Sequence, residues 1–167
     1  MGAASFDEFV HEHQQGLVRY AVLLSGSRAD AEDMVQDVLV RVYPRWERLT
    51  PATAYAYVRR AVTNEYLSWR RRWSNRHIRP VGTDLPEEAH FDPARDEADE
   101  RLWRLLRKLP RQQRAAVVLR YYEDLTDQEI AGVLGCRVPT VRSHVSRGLA
   151  ALRSAIGEPE RAWRNHG

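Results

Sequence analysis

The stretch Leu125–Arg153, LTDQEIAGVLGCRVPTVRSHVSRGLAALR, decides the fold of this chain. It divides into two short helical patterns around a tight glycine turn. Thr126, Asp127, Gln128 and Glu129 form a T-x-x-E capping box. In such a box the threonine hydroxyl accepts a free backbone N–H and the glutamate reaches back to the cap. Ile130, Ala131 and Leu134 follow at helical spacing. Gly135 stands where a helix ends on a left-handed residue. The second helix is expected to start near Pro139, whose missing N–H has no helical partner in a first turn.

At about 100° per residue, Val141, Val145, Leu149 and Leu152 share one side of that second helix. Pro139, Thr140, Ser143, Ser146 and Arg147 lie opposite, with Arg142 on the flank. The apolar side packs on the first helix. The outer side carries hydroxyls and guanidinium groups, with only the small Ala150 as apolar bulk. A narrow, cationic, hydroxyl-bearing helix fits the major groove of DNA, where serine, threonine and arginine read base edges. An ordinary helical hairpin with a solvated face shows the same pattern, so this stretch alone leaves both readings open.

The 167 residues suffice for one or two small domains and carry a net charge of +3. That mild basicity does not by itself establish nucleic-acid binding. Placement says more, because arginines crowd two places and acids crowd between them. Lys108 is the only lysine. Arginine suits phosphate and guanine contacts, although a GC-rich coding sequence produces the same bias. Cys136 is the only cysteine, which excludes an intrachain disulfide and a cysteine-based zinc site. The N-terminal MGAASFDEFVHEHQQG has no basic start followed by an apolar core, so no signal peptide is expected. No run approaches the ~18 apolar residues of a membrane helix. The expectation is a soluble, cytoplasmic protein without membrane insertion.

The first helical pattern runs from Phe6 to Leu24, through Phe9, Val10, Leu17, Tyr20 and Ala21. His11 and His13 diverge by about 200° on a helix and are expected to be solvated rather than to share a metal. Ser25-Gly26 breaks the pattern, and Ser27 caps a new helix with Asp30 as its capping acid. Ala31, Met34, Val35, Val38, Leu39 and Val42 form an apolar stripe, and Pro44 is expected to end the helix. The far face carries Asp33, Gln36 and Asp37 beside Val40. An acidic surface with an apolar spot suits a protein partner, whereas a lone exposed valine needs no explanation.

Thr50-Pro51 starts a long helix expected to reach about Trp73. Tyr55, Val58, Ala61, Val62, Tyr66 and Trp69 mark its packing face, while Tyr57, Arg60, Asn64, Leu67 and Arg71 lie opposite. Arg70, Arg71, Arg72 and Arg76 cluster at its end. Arginines interleaved with aromatics suit single-stranded nucleic acid, with cations on phosphates and rings on bases. Arginines also favour a helix C-terminus, but four exceed what a helix end uses.

Periodicity then disappears. Pro80, Gly82, Pro86 and Pro93 break any helix, and Asp84, Glu87, Glu88, Asp92 and Asp96 make the segment acidic. It reads as a flexible linker. About 20 residues reach roughly 70 Å at ~3.5 Å each, close to two turns of B-DNA at ~34 Å per turn. Leu102, Leu105, Leu106 and Leu109 resume the helical pattern up to Pro110, and a further helix spans Gln113 to Tyr122. Ala155–Gly167 reads as a short polar tail. The fold class is therefore all-α: two small helical domains joined by a flexible acidic linker, the second ending in a helix-turn-helix.

Assembled, the chain resembles the sigma-70 family of bacterial RNA polymerase subunits. It is most similar to the extracytoplasmic-function (ECF) type, and within that to the sigma-E-like members of high-GC bacteria. ADAEDMVQDVLVRVYPRW (Ala29–Trp46) is similar to the family's polymerase-binding helix. AYVRRAVTNEYLSWRRR (Ala56–Arg72) is similar to the helix that reads the melted −10 element, and Leu109–Arg153 to the −35-reading domain. All three in this order, across an acidic linker, are far more specific than any one.

The resemblance implies sigma-70 region 2 over residues 1–75, a linker over 76–97, region 4 over 98–156 and a polar tail over 157–167. It implies that Asp33, Gln36, Asp37 and Val40 dock the beta-prime coiled coil of core RNA polymerase, with region 4 meeting the beta flap. Asn64 falls where relatives hold a flipped −10 base, and Thr50, Pro51 and Ala52 in the loop that also touches it. Tyr57, Arg60 and Arg71 share the Asn64 face as further −10 contacts. Arg142, Ser143, Ser146 and Arg147, with Thr140 on the same face, fall at the −35 contacts. Promoter DNA, core polymerase and an anti-sigma factor are the implied partners; no cofactor, no metal and no enzymatic activity are expected. The linker would thread the polymerase channel, and the absence of a long C-terminal extension implies no built-in regulatory domain.

Arg137 and Pro139 depart from the small polar residue and glycine usual in relatives, so the customary serine cap of the recognition helix is missing. His144 replaces a common arginine, and Thr63 replaces the usual apolar residue before Asn64. These departures bear on promoter sequence. Two other classes carry less support: a helix-turn-helix regulator that never joins polymerase, which would need a sensor pocket, and a nucleic-acid enzyme, for which no carboxylate cluster, Cys–His pair or nucleotide loop is present.

Overall fold

Helix α1 (Phe6–Ser25) begins at a closed capping box. The Ser5 hydroxyl accepts the Glu8 N–H at 3.2 Å, and the Glu8 carboxylate accepts the Ser5 N–H at 3.0 Å. The helix ends at Gly26, whose φ of 76° suits a residue without Cβ. The computed structural model describes residues 5–76 and 97–164, with side chains for 5–68 and 100–156. All regular structure among these residues is helical, and the chain divides into two units, residues 1–90 and 91–167. The expected linker lies outside the described residues except at its two ends.

Helix α2 (Arg28–Val42) starts at Ser27, whose hydroxyl accepts the Asp30 N–H at 3.3 Å. The reciprocal half of the box is replaced: the Ser27 N–H donates to Ser25 Oγ at 3.3 Å. An aspartate is one methylene shorter than the glutamate that closes the α1 box. The chain leaves α2 just before Pro44, which has no N–H to extend the ladder. It tightens into a 3₁₀ turn (Tyr43–Arg48) that buries Trp46 against the Phe6 and Phe9 rings.

Helix α3 (Pro51–Arg76) runs a few residues beyond the expected end. Leu17, Tyr20, Leu24, Met34, Val35, Val38, Val58, Val62 and Tyr66 fill the core of this unit. Tyr55 and Ala61, expected on the packing face, are half-buried, and Ala54 is buried there instead. The side chains of Trp69 and of the arginine cluster Arg70, Arg71, Arg72 and Arg76 lie outside the described residues. His13 corrects the expectation of solvated histidines. It is half-buried, with its ring 4.7 Å from Phe9 and 5.1 Å from Tyr55, while His11 is exposed.

The second unit contains α4 (Glu97–Arg107), α5 (Arg111–Tyr121), α6 (Asp127–Leu134) and α7 (Val138–Arg164). Trp103, Leu106 and Leu109 are buried, whereas Leu102, expected in the core, is 45% exposed. The large indole removes more apolar area from water than a leucine, and it sets the rotation of this short helix. Between α4 and α5, the Arg114 guanidinium donates to the Arg107 and Leu109 carbonyls, both at 3.1 Å. Those carbonyls have no partner within α4 itself.

The helix-turn-helix forms largely as its sequence dictates. The Thr126–Glu129 capping box closes, and Gly135 adopts φ 67°. Helix α7 starts one residue before Pro139, and the Arg137 carbonyl accepts the Val141 N–H. Arg137 thus stands at the cap, where its side chain offers no acceptor. The chain stays helical through Arg164, well into the residues read as a tail. Glutamate, arginine and alanine around Gly157 and Pro159 are good helix formers. Val141, Val145 and Gly148 face inward, and a Cβ at Gly148 would lie 2.7 Å from Val117 Cγ2, so α5 and α7 meet at a glycine notch.

Candidate nucleic-acid and partner interface

The buried stripe of α2 leaves Asp33, Gln36, Asp37 and Val40 exposed on the other side, together as the sequence pattern requires. Val40 is 66% exposed. One turn further, Tyr43 is 62% exposed and packs edge-on against Phe6 at 5.0 Å. Tyr43 enlarges the apolar spot beside the acids. Its three-residue spacing from Val40 was the available signal, masked because the helix was expected to end there.

Asp30 sits at the shoulder of this face. Burial pushes its carboxyl above the ordinary aspartate value, the Ser27 hydrogen bond opposes that, and nearby Asp33 adds to it. Arg41, on the flank, reaches across to α3. Its Nη2 meets Glu65 Oε2 at 2.6 Å, and the Glu65 side chain is only 5% exposed. The helix carrying the acidic face is therefore tied to the helix carrying Asn64, at the residue immediately after it.

On α3, Thr50, Pro51, Ala52, Tyr57, Arg60 and Asn64 are all exposed. The Thr50 hydroxyl pairs with that of Thr53 at 2.8 Å. Arg71 continues this face by helical register, with its side chain outside the described residues. Thr63 points the other way, fully buried. Its hydroxyl lies 2.6 Å from the Tyr20 hydroxyl and donates to the Arg59 carbonyl at 2.8 Å. The departure at Thr63 is thus a buried core feature.

On α7, Thr140, Arg142, Ser143, Ser146 and Arg147 are all exposed. His144 is half-buried, with Nδ1 shielded from solvent and without a hydrogen-bond partner, so it lies off that surface. Arg137 and Pro139 are exposed at its N-terminal end. Asp127, read above only as part of a capping box, binds arginines on both carboxylate oxygens. Arg120 Nη1 donates to Oδ1, and Arg142 Nε donates to Oδ2 at 3.3 Å. The half-buried Cys136 thiol is pushed up by desolvation, away from the thiolate form that makes a cysteine reactive. Among the described residues no cluster of His, Cys, Asp or Glu could hold a metal, and no helix is long and apolar enough to cross a membrane.

Two units, each with exposed polar and cationic helix faces opposite a packed core, correspond to two family models. Residues 9–76 match sigma-70 region 2, and residues 99–152 match sigma-70 region 4. The chain belongs to the sigma-70 family, as an extracytoplasmic-function member. It is 37% identical over 154 residues to the RNA polymerase sigma-E factor of Streptomyces coelicolor, covering 90% of this chain and 85% of that protein. The ECF RNA polymerase sigma factor SigL of Mycobacterium tuberculosis is 31% identical over 163 residues, 93% of this chain and 91% of the relative. Among solved structures, the sigma factor RpoE of Bartonella quintana, in complex with the anti-sigma factor NepR, shares the fold with a TM-score of 0.68. It is 22% identical and covers 91% of this chain and 96% of that one. CnrH, in complex with the cytosolic domain of CnrY, gives 0.64 at 22% identity, covering 92% and 88%.

Proposed function

We propose that this chain, as an ECF sigma factor, joins core RNA polymerase through α2, captures the melted −10 strand on α3 and reads −35 duplex on α7. One observation carries the assignment: every candidate residue with a described side chain is exposed, on a helix face turned away from the core or, for Thr50, just before α3. Residues 1–75 act as region 2 and 98–156 as region 4, joined by the linker 76–97 and followed by the tail 157–167. Asp33, Gln36 and Asp37 supply charge and hydrogen bonds to the beta-prime coiled coil, and Val40 and Tyr43 supply apolar contact. Region 4 also meets the beta flap. Asn64 offers two donors and an acceptor to an extruded base, with Thr50, Pro51 and Ala52 at the same pocket and Tyr57, Arg60 and Arg71 along the strand.

The protein works without a cofactor or a reaction of its own, in the cytoplasm where the chromosome lies. An anti-sigma factor is a further partner in this reading, in keeping with the neighbour solved bound to one.

Run-off transcription with core polymerase, followed by start-site mapping, tests the function. Specific transcripts are expected; DNA binding without any association with core polymerase would instead make the chain a free-standing regulator. Two substitutions then test the surfaces. Replacing both Asp33 and Asp37 with arginine should leave the fold intact and weaken pull-down of core polymerase by ~2–5 kcal/mol, as for a reversed charge pair at a desolvated contact. Unchanged association would remove α2 from the docking surface. Asn64→Ala should impair opening of duplex promoters more than initiation on a template already unpaired at −10, because extruding a base costs a few kcal/mol. Permanganate footprinting on both templates reads this, and equal defects on both would reassign Asn64.

A further inference from the structure

We propose that Asp127 is a positioning residue for −35 recognition, holding the Arg142 guanidinium so that its far edge faces the DNA. The proposal rests on the assignment of α7 to the −35 element. Asp127 opens α6, and its side chain is 19% exposed. Arg120, in the last turn of α5, takes Oδ1, so this carboxylate oxygen is itself held. Oδ2 is left for Arg142 in α7, which it engages through Nε. The Arg142 side chain remains 71% exposed.

A guanidinium is a planar fork with five donors. Anchoring Nε leaves the two Nη groups as a free outer edge, the edge that pairs with guanine N7 and O6 or with phosphate oxygens. Arginine loses less rotamer freedom per bond when its plane is already fixed. The chain Arg120–Asp127–Arg142 thus links α5, α6 and α7 and orients a base-reading group from behind. It is not needed to build the turn, which the capping box, Gly135 and the apolar face already specify.

Simple charge makes the opposite prediction. An acid at the rim of a DNA-binding face repels phosphates, so its removal should raise affinity for all sequences alike. Positioning predicts a loss of discrimination at the base that Arg142 reads.

The test uses the full chain assembled with core polymerase and a promoter duplex library randomised across the upstream element, with the bound fraction sequenced. Asp127→Asn keeps an oxygen toward Arg120 but removes the charge that fixes Arg142. It should flatten the wild-type preference by at least about fivefold at the position that Arg142→Ala flattens, the lower range for one bidentate contact. The double variant should be no flatter than Arg142→Ala alone. Arg142→Lys, which keeps the charge but lacks Nε, should flatten the same position and be indifferent to Asp127→Asn. Preference retained in Asp127→Asn, with or without a uniform gain in affinity, overturns the proposal alone. Flattening at a different position, or further flattening in the Arg142→Ala background, also overturns it. A wild-type chain that selects no upstream sequence overturns the α7 assignment and this inference with it.

Discussion

In the N-terminal unit the long helix α3 adds buried polar bonds to its apolar packing, whereas in the C-terminal unit α7 is held by close apolar contact. Thr63 bonds Tyr20 of α1, and Glu65 bonds Arg41 of α2. These residues flank Asn64 on either side. Hydrogen bonds are directional, so two of them at neighbouring positions fix how far α3 is rotated about its axis. That rotation aims Tyr57, Arg60 and Asn64. On α7 the buried positions are Val141, Val145 and Gly148, and the polar chain through Asp127 stays at the rim. The comparison teaches that the exposed faces of α3 and α7, proposed above for unpaired bases and for duplex, are oriented by different means. One uses buried polar pins, the other a glycine notch.

The notch makes the largest prediction. Alanine at 148 would place its Cβ 2.7 Å from Val117 Cγ2 and 3.5 Å from the Gln113 carbonyl. Valine is stiff at χ1 and cannot swing aside freely. Overpacking of this kind costs ~1–3 kcal/mol, against a helix-propensity gain of about 1 kcal/mol for Gly→Ala. Gly148→Ala should therefore destabilise by up to about 2 kcal/mol in chemical denaturation. In a double-mutant cycle, Val117→Ala should relieve it with a coupling of about 1 kcal/mol or more. A stabilising Gly148→Ala would show that close approach does not hold α7.

The pins predict a smaller and asymmetric effect. Thr63 has one hydroxyl proton, which goes to the Arg59 carbonyl, so Tyr20 must be the donor in their shared bond. Thr63→Val keeps the shape but takes away the acceptor of the Tyr20 proton. A cost of ~1–1.5 kcal/mol is expected, within the range for a lost hydrogen bond whose partner stays buried. Tyr20→Phe removes the donor itself and leaves Thr63 bonded to Arg59, so it should cost less. No loss from either substitution, measured by thermal unfolding, would mean that α3 is held by packing alone and would erase the contrast with α7.

The same contrast explains what was legible in the sequence. Capping boxes, the αL glycines and the apolar stripes are local signals, and they gave the helices and the outward faces of α2, α3 and α7. Partners far apart in sequence leave no such mark. Glu65 finds its partner Arg41 24 residues away, and Tyr20 lies 43 residues from Thr63. Asp127 carried a capping signal that concealed its grip on two arginines. In α4, with only 11 residues, leucines at adjacent positions allow two rotations, and Trp103 decides between them.

The helix caps allow the finest test, because α2 treats differently the device that α1 and α6 share. In α6 the box closes through Glu129, but in α2 the Ser27 backbone N–H goes to Ser25 Oγ and not to the Asp30 carboxylate. Its carboxyl is instead partly desolvated, and desolvation outweighs the Ser27 hydrogen bond, so the pKa is raised on folding. The sign follows from proton linkage. An acid with a raised folded-state value binds protons more readily when folded, so it adds stability at low pH. That contribution declines as pH rises from the ordinary aspartate value through the raised one, leaving a fixed penalty above it. Asp30→Asn should therefore gain on the wild type as pH rises through that window. Because Asp30 is only half-buried, solvent screening keeps the gain below about 1 kcal/mol. Stability of both proteins compared from acid to neutral pH gives the answer. A difference that is flat, or that runs the other way, would mean that Asp30 serves α2 as a charged cap after all, as Glu129 serves α6.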